Sequence, residues 1–189
     1  MTQQKIIIIT APSGSGKTTL VKRLVARCPQ LEFSVSACTR SPRSGEIDGK
    51  DYYFFTPEAF QQKIDEGAFV EHEMVYTGKY YGTLHSELER IWEHGNYPLL
   101  EIDVKGAMDI KAQFLANALT VFIKPPSIDV LRSRLILRGS ETAEAIEERI
   151  AKAKFELGSA DKFEKVIVND DLEIATEELI RTVEDFLKG

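Results

Sequence analysis

The chain has 189 residues, the length of one domain of ordinary size. Hydrophobic residues make up 43% of it and charged residues 29%, which excludes a disordered chain, a collagen and a disulfide-stapled mini-protein. With 24 basic and 30 acidic residues, the formal net charge is −6. A nucleic-acid polymer is therefore a poor partner, although a local basic pocket can still bind a small anion.

The start of the chain shows no targeting segment. A polar stretch precedes an apolar run of only four residues, from Ile6 to Ile9, and no stretch approaches the ~20 apolar residues that cross a bilayer. The two cysteines, Cys28 and Cys38, form no Cys-x-x-Cys pair and are typical of reduced thiols. We expect a cytoplasmic protein with no membrane partner, and the sequence leaves its oligomeric state open.

Strand and helix patterns alternate along most of the chain, which favours an α/β fold with a parallel sheet. A helix is expected after the first strand, and Pro29 ends it. The last helix should begin after Asp170 or Asp171, where Glu173 is placed for a capping box. The predicted strands of this sheet lie at residues 5–10, 97–103, 121–124 and 165–169.

Two segments interrupt this alternation. The first is rich in aromatic residues, with extended pieces at 33–37, 52–55 and 69–73 and one helix that Thr56 caps. The second is a pair of helices broken at Arg138-Gly139-Ser140, which is the shape of a lid. We therefore divide the single domain into core, insert and lid. The core is 1–33, 86–127 and 159–189, the insert is 34–85 and the lid is 128–158.

A glycine-rich loop joins the first predicted strand to the helix after it. Glycines let backbone N–H groups turn inward as an anion nest, and the helix N-terminus adds partial positive charge. Its lysine, Lys17, would reach the β- and γ-phosphates, and the Thr18 hydroxyl would ligate Mg²⁺. Ala11 stands where the strict pattern has glycine. A nucleoside triphosphate is the first predicted ligand. The candidate residues are Ala11, Pro12, Ser13, Gly14, Ser15, Gly16, Lys17, Thr18 and Thr19.

Two arginines further along the chain suggest a second anion site. Arg40 and Arg43 are three residues apart, and Pro42 holds the chain extended between them. Converging guanidinium groups suit a phosphate dianion, and the hydroxyls of Tyr52 and Tyr81 can add donors. Taken alone, the arginines could equally be a solvated loop pair.

Further motifs follow in a fixed order along the chain. They are Phe33-Ser-Val-Ser36, Thr39-Arg-Ser-Pro-Arg43, Gly45–Tyr52, Phe69-Val-Glu71, Gly78–Gly82, Glu101–Gly106 and Val166–Asp170. With the glycine loop they cover nearly the whole chain, and the combination resembles the guanylate kinase family. The resemblance implies a P-loop NTPase-type three-layer fold with a parallel central sheet, a small mixed α/β insert that binds a nucleoside monophosphate, and a helical lid.

The resemblance also implies an activity and its substrates. Members of the family transfer the γ-phosphoryl group of ATP to GMP with Mg²⁺, giving ADP and GDP in purine nucleotide metabolism and GMP recycling. ATP and GMP are then the expected small-molecule partners. The implied GMP-binding residues are Ser36, Arg40, Arg43, Tyr52, Glu71, Tyr81, Thr83 and Asp103.

On the ATP side, the resemblance adds arginines of the lid, which would contact the transferring phosphoryl group and ATP. Asn169 resembles a residue near the adenine, although it could equally be only part of the turn before the last helix. The implied catalytic residues are Lys17, Arg134, Arg138 and Arg149.

Physical chemistry agrees with the guanine-reading role that the resemblance gives to Glu71 and Asp103. Guanine presents two donors, N1–H and the 2-amino group, and a carboxylate only accepts. Adenine lacks those donors and would leave a buried carboxylate unpaired, which can reject the wrong base by ~10⁴. The alternative for Glu71 is a strand residue that faces solvent.

Glu101 is a second metal candidate. Glu101 and Asp103 alternate on a predicted strand, so they point to the same side at its carboxyl end, where ligands bind in such sheets. The family more often has aspartate at this position. The longer side chain could still hold a water molecule on Mg²⁺, or it could pair with a nearby lysine.

Two other functions stay open on the sequence alone. One is an inactive guanylate-kinase-like module that binds phosphorylated peptides, and the other is a kinase for another nucleoside monophosphate. Such modules often have degraded phosphate loops, so Lys17, Thr18 and the lid arginines favour an enzyme.

Overall fold

The computed structural model describes residues 4–137 and 142–189. The strands are β1 Ile6–Thr10, β2 Leu31–Phe33, β3 Ala37–Cys38, β4 Tyr53–Phe54, β5 Phe69–Tyr76, β6 Lys79–Leu84, β7 Tyr97–Glu101, β8 Ala118–Lys124 and β9 Lys165–Val168. The helices are α1 Lys17–Arg27, α2 Pro57–Asp65, α3 His85–Glu93, α4 Val104–Phe114, α5 Ile128–Leu137, α6 Ala143–Leu157 and α7 Leu172–Lys188.

The larger sheet is parallel, in the order β2-β7-β1-β8-β9. Its central strand, β1, contains four consecutive isoleucines that are fully buried, as expected for a strand covered on both faces. Ile7 and Ile9 pack under α1 and α7, whereas Ile6 and Ile8 pack under α3 and α4. The predicted α/β fold with a parallel central sheet between two helical layers is confirmed.

The ends of several strands differ from the sequence prediction. The strand predicted to reach residue 103 stops at Glu101, because the Asp103 side chain accepts the Gly106 N–H at 2.8 Å and caps α4. The strand expected from 121 begins three residues earlier, at Ala118.

The last helix begins after Asp171, whose carboxylate accepts the backbone N–H groups of Glu173 and Ile174.

A second sheet, in the order β4-β3-β6-β5, forms the insert sheet. The extended piece predicted at 33–37 divides between the two sheets, since β2 belongs to the larger sheet and β3 to the insert sheet. Strand β6 was missed by the sequence patterns, and it pairs antiparallel with β5 in a hairpin. Helix α2 is capped by Thr56 as predicted, and its Phe60 stacks on Phe69 at 4.4 Å between ring centroids.

Helices α5 and α6 pack through a small apolar cluster of their own, which includes Leu131, Leu135, Ile146 and Ile150. Thr142 caps α6 by accepting the Ala145 N–H. The predicted break between these helices, at Arg138-Gly139-Ser140, lies outside the described residues. Across 4–137 and 142–189, the model contains no helix with the length and apolarity that a membrane crossing requires.

A buried carboxylate joins the two sheets. Glu87 of α3 is only 2% exposed, and its oxygens accept the Val35 N–H at 2.9 Å and the Tyr53 hydroxyl at 3.0 Å. Arg90 also donates to both oxygens of Glu87, at 2.7 and 3.0 Å, and bonds to Glu32 of β2. The start of the insert is therefore held to the core by one side chain.

We expect Glu87→Ala to lower the free energy of unfolding by about 2–4 kcal/mol, because the buried Val35 N–H and the half-buried Tyr53 hydroxyl lose their acceptor. Urea unfolding measures this change. Glu89→Ala, on the exposed side of the same helix, is the control and should cost less than about 0.5 kcal/mol. Equal effects of the two substitutions would contradict the role of Glu87.

Candidate functional site

A cleft of about 650 Å³ opens where β1 and β7 end, between the larger sheet, the insert sheet and α6. Thr10 and Glu101 come from the carboxyl ends of these strands, where ligands bind in open parallel sheets. One cleft therefore contains the glycine loop (residues 11–18), the arginine pair and the acidic residues that the sequence singled out.

The glycine loop turns tightly between β1 and α1. Gly14 and Gly16 have φ of 91° and 87°, a left-handed conformation that favours glycine. The Ser15 hydroxyl donates to the Pro12 carbonyl at 2.8 Å and closes the turn. Helix α1 begins at Lys17, directly after the loop. The N–H groups of the loop and the N-terminus of the helix are therefore available to the same anion.

Two predicted site residues support this loop from behind and do not line the cleft. The Asn169 amide is buried and donates to the Ser15 carbonyl at 2.7 Å. The Arg134 guanidinium donates to the Asn169 carbonyl at 3.1 Å and to the Ser15 carbonyl at 3.4 Å. In this arrangement both side chains hold the backbone of the loop.

The cations at the loop are paired within the cleft. Lys17 Nζ lies 3.0 Å from Glu101 Oε2, so the lysine partner that the sequence left open for Glu101 is present. Arg149 of α6 donates to the Ser13 hydroxyl at 2.6 Å and connects this helix to the loop. Thr18 is exposed in the cleft wall.

Arg40 is held in place by a carboxylate that the sequence analysis did not name. Two hydrogen bonds of 2.6 and 2.7 Å join its guanidinium to Glu46, and the group lies 4.6 Å from the centroid of the Tyr52 ring. Glu46 also accepts the backbone N–H of Arg43 at 2.7 Å. The hydrogen bonds from Arg40 lower the pKa of Glu46 to about 2, so it is ionised near neutral pH.

The tyrosines complete this end of the cleft. The rings of Tyr52 and Tyr81 meet edge to face at 6.2 Å between centroids, and both line the cleft near Arg40 and Arg43. Burial raises the pKa of Tyr81, so its hydroxyl keeps its proton and can donate. The sequence-predicted phosphate clamp is thus brought together in space.

An acid pocket lies between β5 and the start of α4. Its two carboxylates are Glu71 and Asp103, Ser36 lines the same cleft, and Thr83 lies behind Glu71. Glu71 is 7% exposed, and its Oε1 accepts the Thr83 hydroxyl at 2.7 Å. Burial raises the pKa of Glu71 to about 7, and the charges of Asp103 and Asp109 act in the same direction against the Thr83 hydrogen bond. Glu71 does not face open solvent, which removes the alternative left by the sequence.

The structure brings most predicted site residues to one surface. Thr83 lies behind Glu71, and Ser15 lies within the loop. Arg138 lies outside the described residues. The predicted residues that line the cleft are Ala11, Pro12, Ser13, Gly14, Gly16, Lys17, Thr18, Ser36, Arg40, Arg43, Tyr52, Glu71, Tyr81, Glu101, Asp103 and Arg149. Those that do not line it are Ser15, Thr19, Thr83, Arg134 and Asn169.

Helix α6 contributes two residues that the sequence analysis missed. Lys152 and Glu156 line the cleft beside Arg149, and the spacing of three and four residues places all three on one helical face. Burial raises the pKa of Glu156, while Lys152, 3.9 Å away, opposes that shift. This spacing was the signal that could have identified them.

Comparison with known proteins agrees with these features. The Guanylate kinase family model matches residues 3–186. The Guanylate kinase of Bacteroides fragilis is 46% identical over 185 residues, covering 98% of this chain and 91% of the relative. The Guanylate kinase of Salinibacter ruber is 46% identical over 189 residues, covering all of both chains. The crystal structure of guanylate kinase from Anaplasma phagocytophilum superposes with a TM-score of 0.77 at 29% identity, covering 98% of this chain and 87% of that one. The chain therefore belongs to the guanylate kinase family.

Proposed function

We propose that this protein transfers the γ-phosphoryl group of ATP to the phosphate of GMP, producing ADP and GDP. The observation that carries the proposal is the presence of a phosphate-binding loop and a buried acid pocket in one cleft of about 650 Å³. The names of the relatives support the same activity, since those compared above are guanylate kinases.

The loop end of the cleft suits the phosphates of ATP. Phosphoryl transfer depends on positioning and on positive charge around the transferred group. Lys17 would exchange its contact with Glu101 for the more highly charged phosphates, and Arg149 can reach them from α6. Arg134 would keep the loop in shape through the Ser15 and Asn169 carbonyls, while a phosphoryl contact for Arg138 stays a prediction.

The residues at this end also fit Mg²⁺. The ion prefers oxygen ligands and is usually held by few protein groups together with substrate phosphates. The Thr18 hydroxyl and the Glu101 carboxylate are oxygen donors in the same cleft wall. Thr18 and Glu101 would hold the ion, which when bound would supply positive charge to offset that of the phosphates.

The opposite end suits GMP. Arg40, Arg43 and the two tyrosines would bind its phosphate, with Glu46 fixing the orientation of the Arg40 guanidinium. Glu71 and Asp103 would accept the guanine N1–H and 2-amino donors, which adenine lacks at those positions. Ser36 and Thr83 would complete the base contacts.

No covalent intermediate on the protein is needed in this arrangement. A phosphate oxygen of GMP attacks the γ-phosphorus, and ADP leaves with the bridging oxygen. The chain supplies alignment and charge, and α6 would help to exclude water from above the loop. The division into core, insert and lid, and a cytoplasmic location, stay predictions.

The proposal is tested by measuring ADP release with ATP, Mg²⁺ and each nucleoside monophosphate in turn. We expect turnover with GMP to exceed turnover with AMP, CMP or UMP by about 10³-fold or more, as for sites built on hydrogen bonds. Lys17→Met is the control that measures background activity from contaminating kinases. This substitution should lower kcat by about 100-fold or more and leave thermal unfolding unchanged. Preference for another monophosphate, or full activity of Lys17→Met, would contradict the proposal.

We expect Glu71→Gln to lower kcat/KM for GMP by roughly 10- to 100-fold, because the amide turns a donor toward the donors of guanine. The KM for ATP should not change, since the glycine loop is left intact. His72→Gln, the exposed neighbour on β5, is the matched control. A variant that treats GMP as the wild type does would show that Glu71 does not read the base.

The raised pKa of Glu71, about 7, predicts a pH dependence of GMP binding. The free protein holds the proton below this value, so binding through the carboxylate must release it. The wild-type affinity for GMP should fall about tenfold between pH 8 and pH 6 through this group. The phosphate of GMP also titrates, with a pKa of about 6, and it contributes the same pH dependence to binding by Glu71→Gln. Calorimetry on both proteins isolates the carboxylate, and parallel profiles would disprove its role.

A further inference from the structure

Gly106, in the first turn of α4, lies against the acid pocket. A Cβ atom placed on it would be 2.6 Å from Glu71 Oε2 and 3.1 Å from Glu71 Cδ. Both distances are shorter than ordinary van der Waals contact. The same residue donates its backbone N–H to Asp103 Oδ1 at 2.8 Å. Gly106 therefore touches both carboxylates of the pocket.

We propose that Gly106 is a specificity-determining residue, because its lack of a side chain leaves the space that the Glu71 carboxylate needs to reach the base. This inference rests on the proposed function, in which that carboxylate reads guanine. The role of Gly106 is to position Glu71, and it makes no contact with the reacting atoms.

Backbone conformation does not account for a glycine here. Gly106 is not among the glycines with positive φ in the described ranges, and it lies inside a regular α-helix. Alanine adopts that conformation readily and has the higher helix propensity. A glycine inside a helix usually weakens the helix. The presence of glycine here is therefore better explained by the closeness of the Glu71 side chain.

The atoms closest to the added Cβ belong to the end of the Glu71 side chain, not to the backbone of another element. The backbone of β5 is also tied to α4 on both sides of Glu71. Gln113 donates to the Val70 carbonyl at 2.8 Å, and Lys105 forms an ion pair with Glu73. With the strand held, a methyl group at Gly106 would displace the carboxylate and break its 2.7 Å bond with Thr83.

The test is Gly106→Ala, with GMP and ATP affinities measured by calorimetry, turnover measured in parallel and unfolding followed by heat. We expect the Kd for GMP to rise at least tenfold, while the Kd for ATP stays within twofold and the unfolding midpoint does not fall. Gln113→Ala is the control, because it removes a bond between β5 and α4 and leaves the space beside Glu71 unchanged.

Each outcome decides the inference. Unchanged GMP affinity in Gly106→Ala overturns it, and so does an equal loss in Gln113→Ala, which would indicate a loosened strand. Loss of ATP binding or of cooperative unfolding also overturns it, since the backbone would then have yielded instead of the carboxylate. Wild-type protein that binds GMP but does not phosphorylate it would contradict only the proposed function.

Discussion

A carboxylate removed from water is unfavourable unless it finds donors, and among the residues that the structure describes the Glu71 side chain accepts hydrogen bonds from Thr83 alone. Its pKa of about 7 reflects this burial with few donors. The remaining acceptor capacity faces the cleft, where a base with donors on the matching edge would satisfy it. Three elements must meet to build this arrangement: β5 carries Glu71, β6 places Thr83 directly opposite, and α4 leaves room at Gly106. In the proposed function, selectivity for the base would therefore depend on the packing of α4 against the insert sheet.

Two cations of the cleft are likewise held by carboxylates. Lys17 lies against Glu101, and Arg40 lies between two oxygens of Glu46. In the free protein these pairings offset the positive charge of the two proposed anion sites, within a chain of net charge −6. A phosphate dianion carries more charge than a carboxylate, so it competes well for Lys17. Glu46, which also accepts the backbone N–H of Arg43, is placed to remain and orient the arginine.

Features that depend on residues close together in the sequence could be predicted, whereas features that depend on long-range contacts could not. The glycine loop, the Thr56 cap and the last helix depend on neighbouring residues, and each is where the sequence placed it. Strand β6 was missed because its Tyr-Tyr-Gly run has no clear alternation, and only pairing with β5 makes it a strand. The support that Arg134 gives to the glycine loop could not be predicted, since it joins residues 119 positions apart. The family resemblance supplied the acid pocket and included Gly106 in a motif without giving it a role, because its closeness to Glu71 is visible only as a distance between the two.

Contacts behind the cleft also constrain how it can close. Gly14 of the glycine loop packs directly on α5, since a Cβ there would be 3.0 Å from Leu131 and 3.1 Å from Leu135. Arg134 of the same helix donates to the loop at the Ser15 carbonyl and also donates to the Asn169 carbonyl. A rigid movement of the whole segment 128–158 away from the loop would break all of these contacts, together with the hydrogen bond from Arg149 of α6 to Ser13. Separating the packed leucines from the buried Gly14 would expose apolar surface, which is unfavourable in water. Ile146 and Ile150 of α6 pack in one apolar cluster with the same leucines, so separating α6 from α5 would also expose apolar surface. Leu131 and Leu135 therefore join the glycine loop, α5 and α6 into one packed unit.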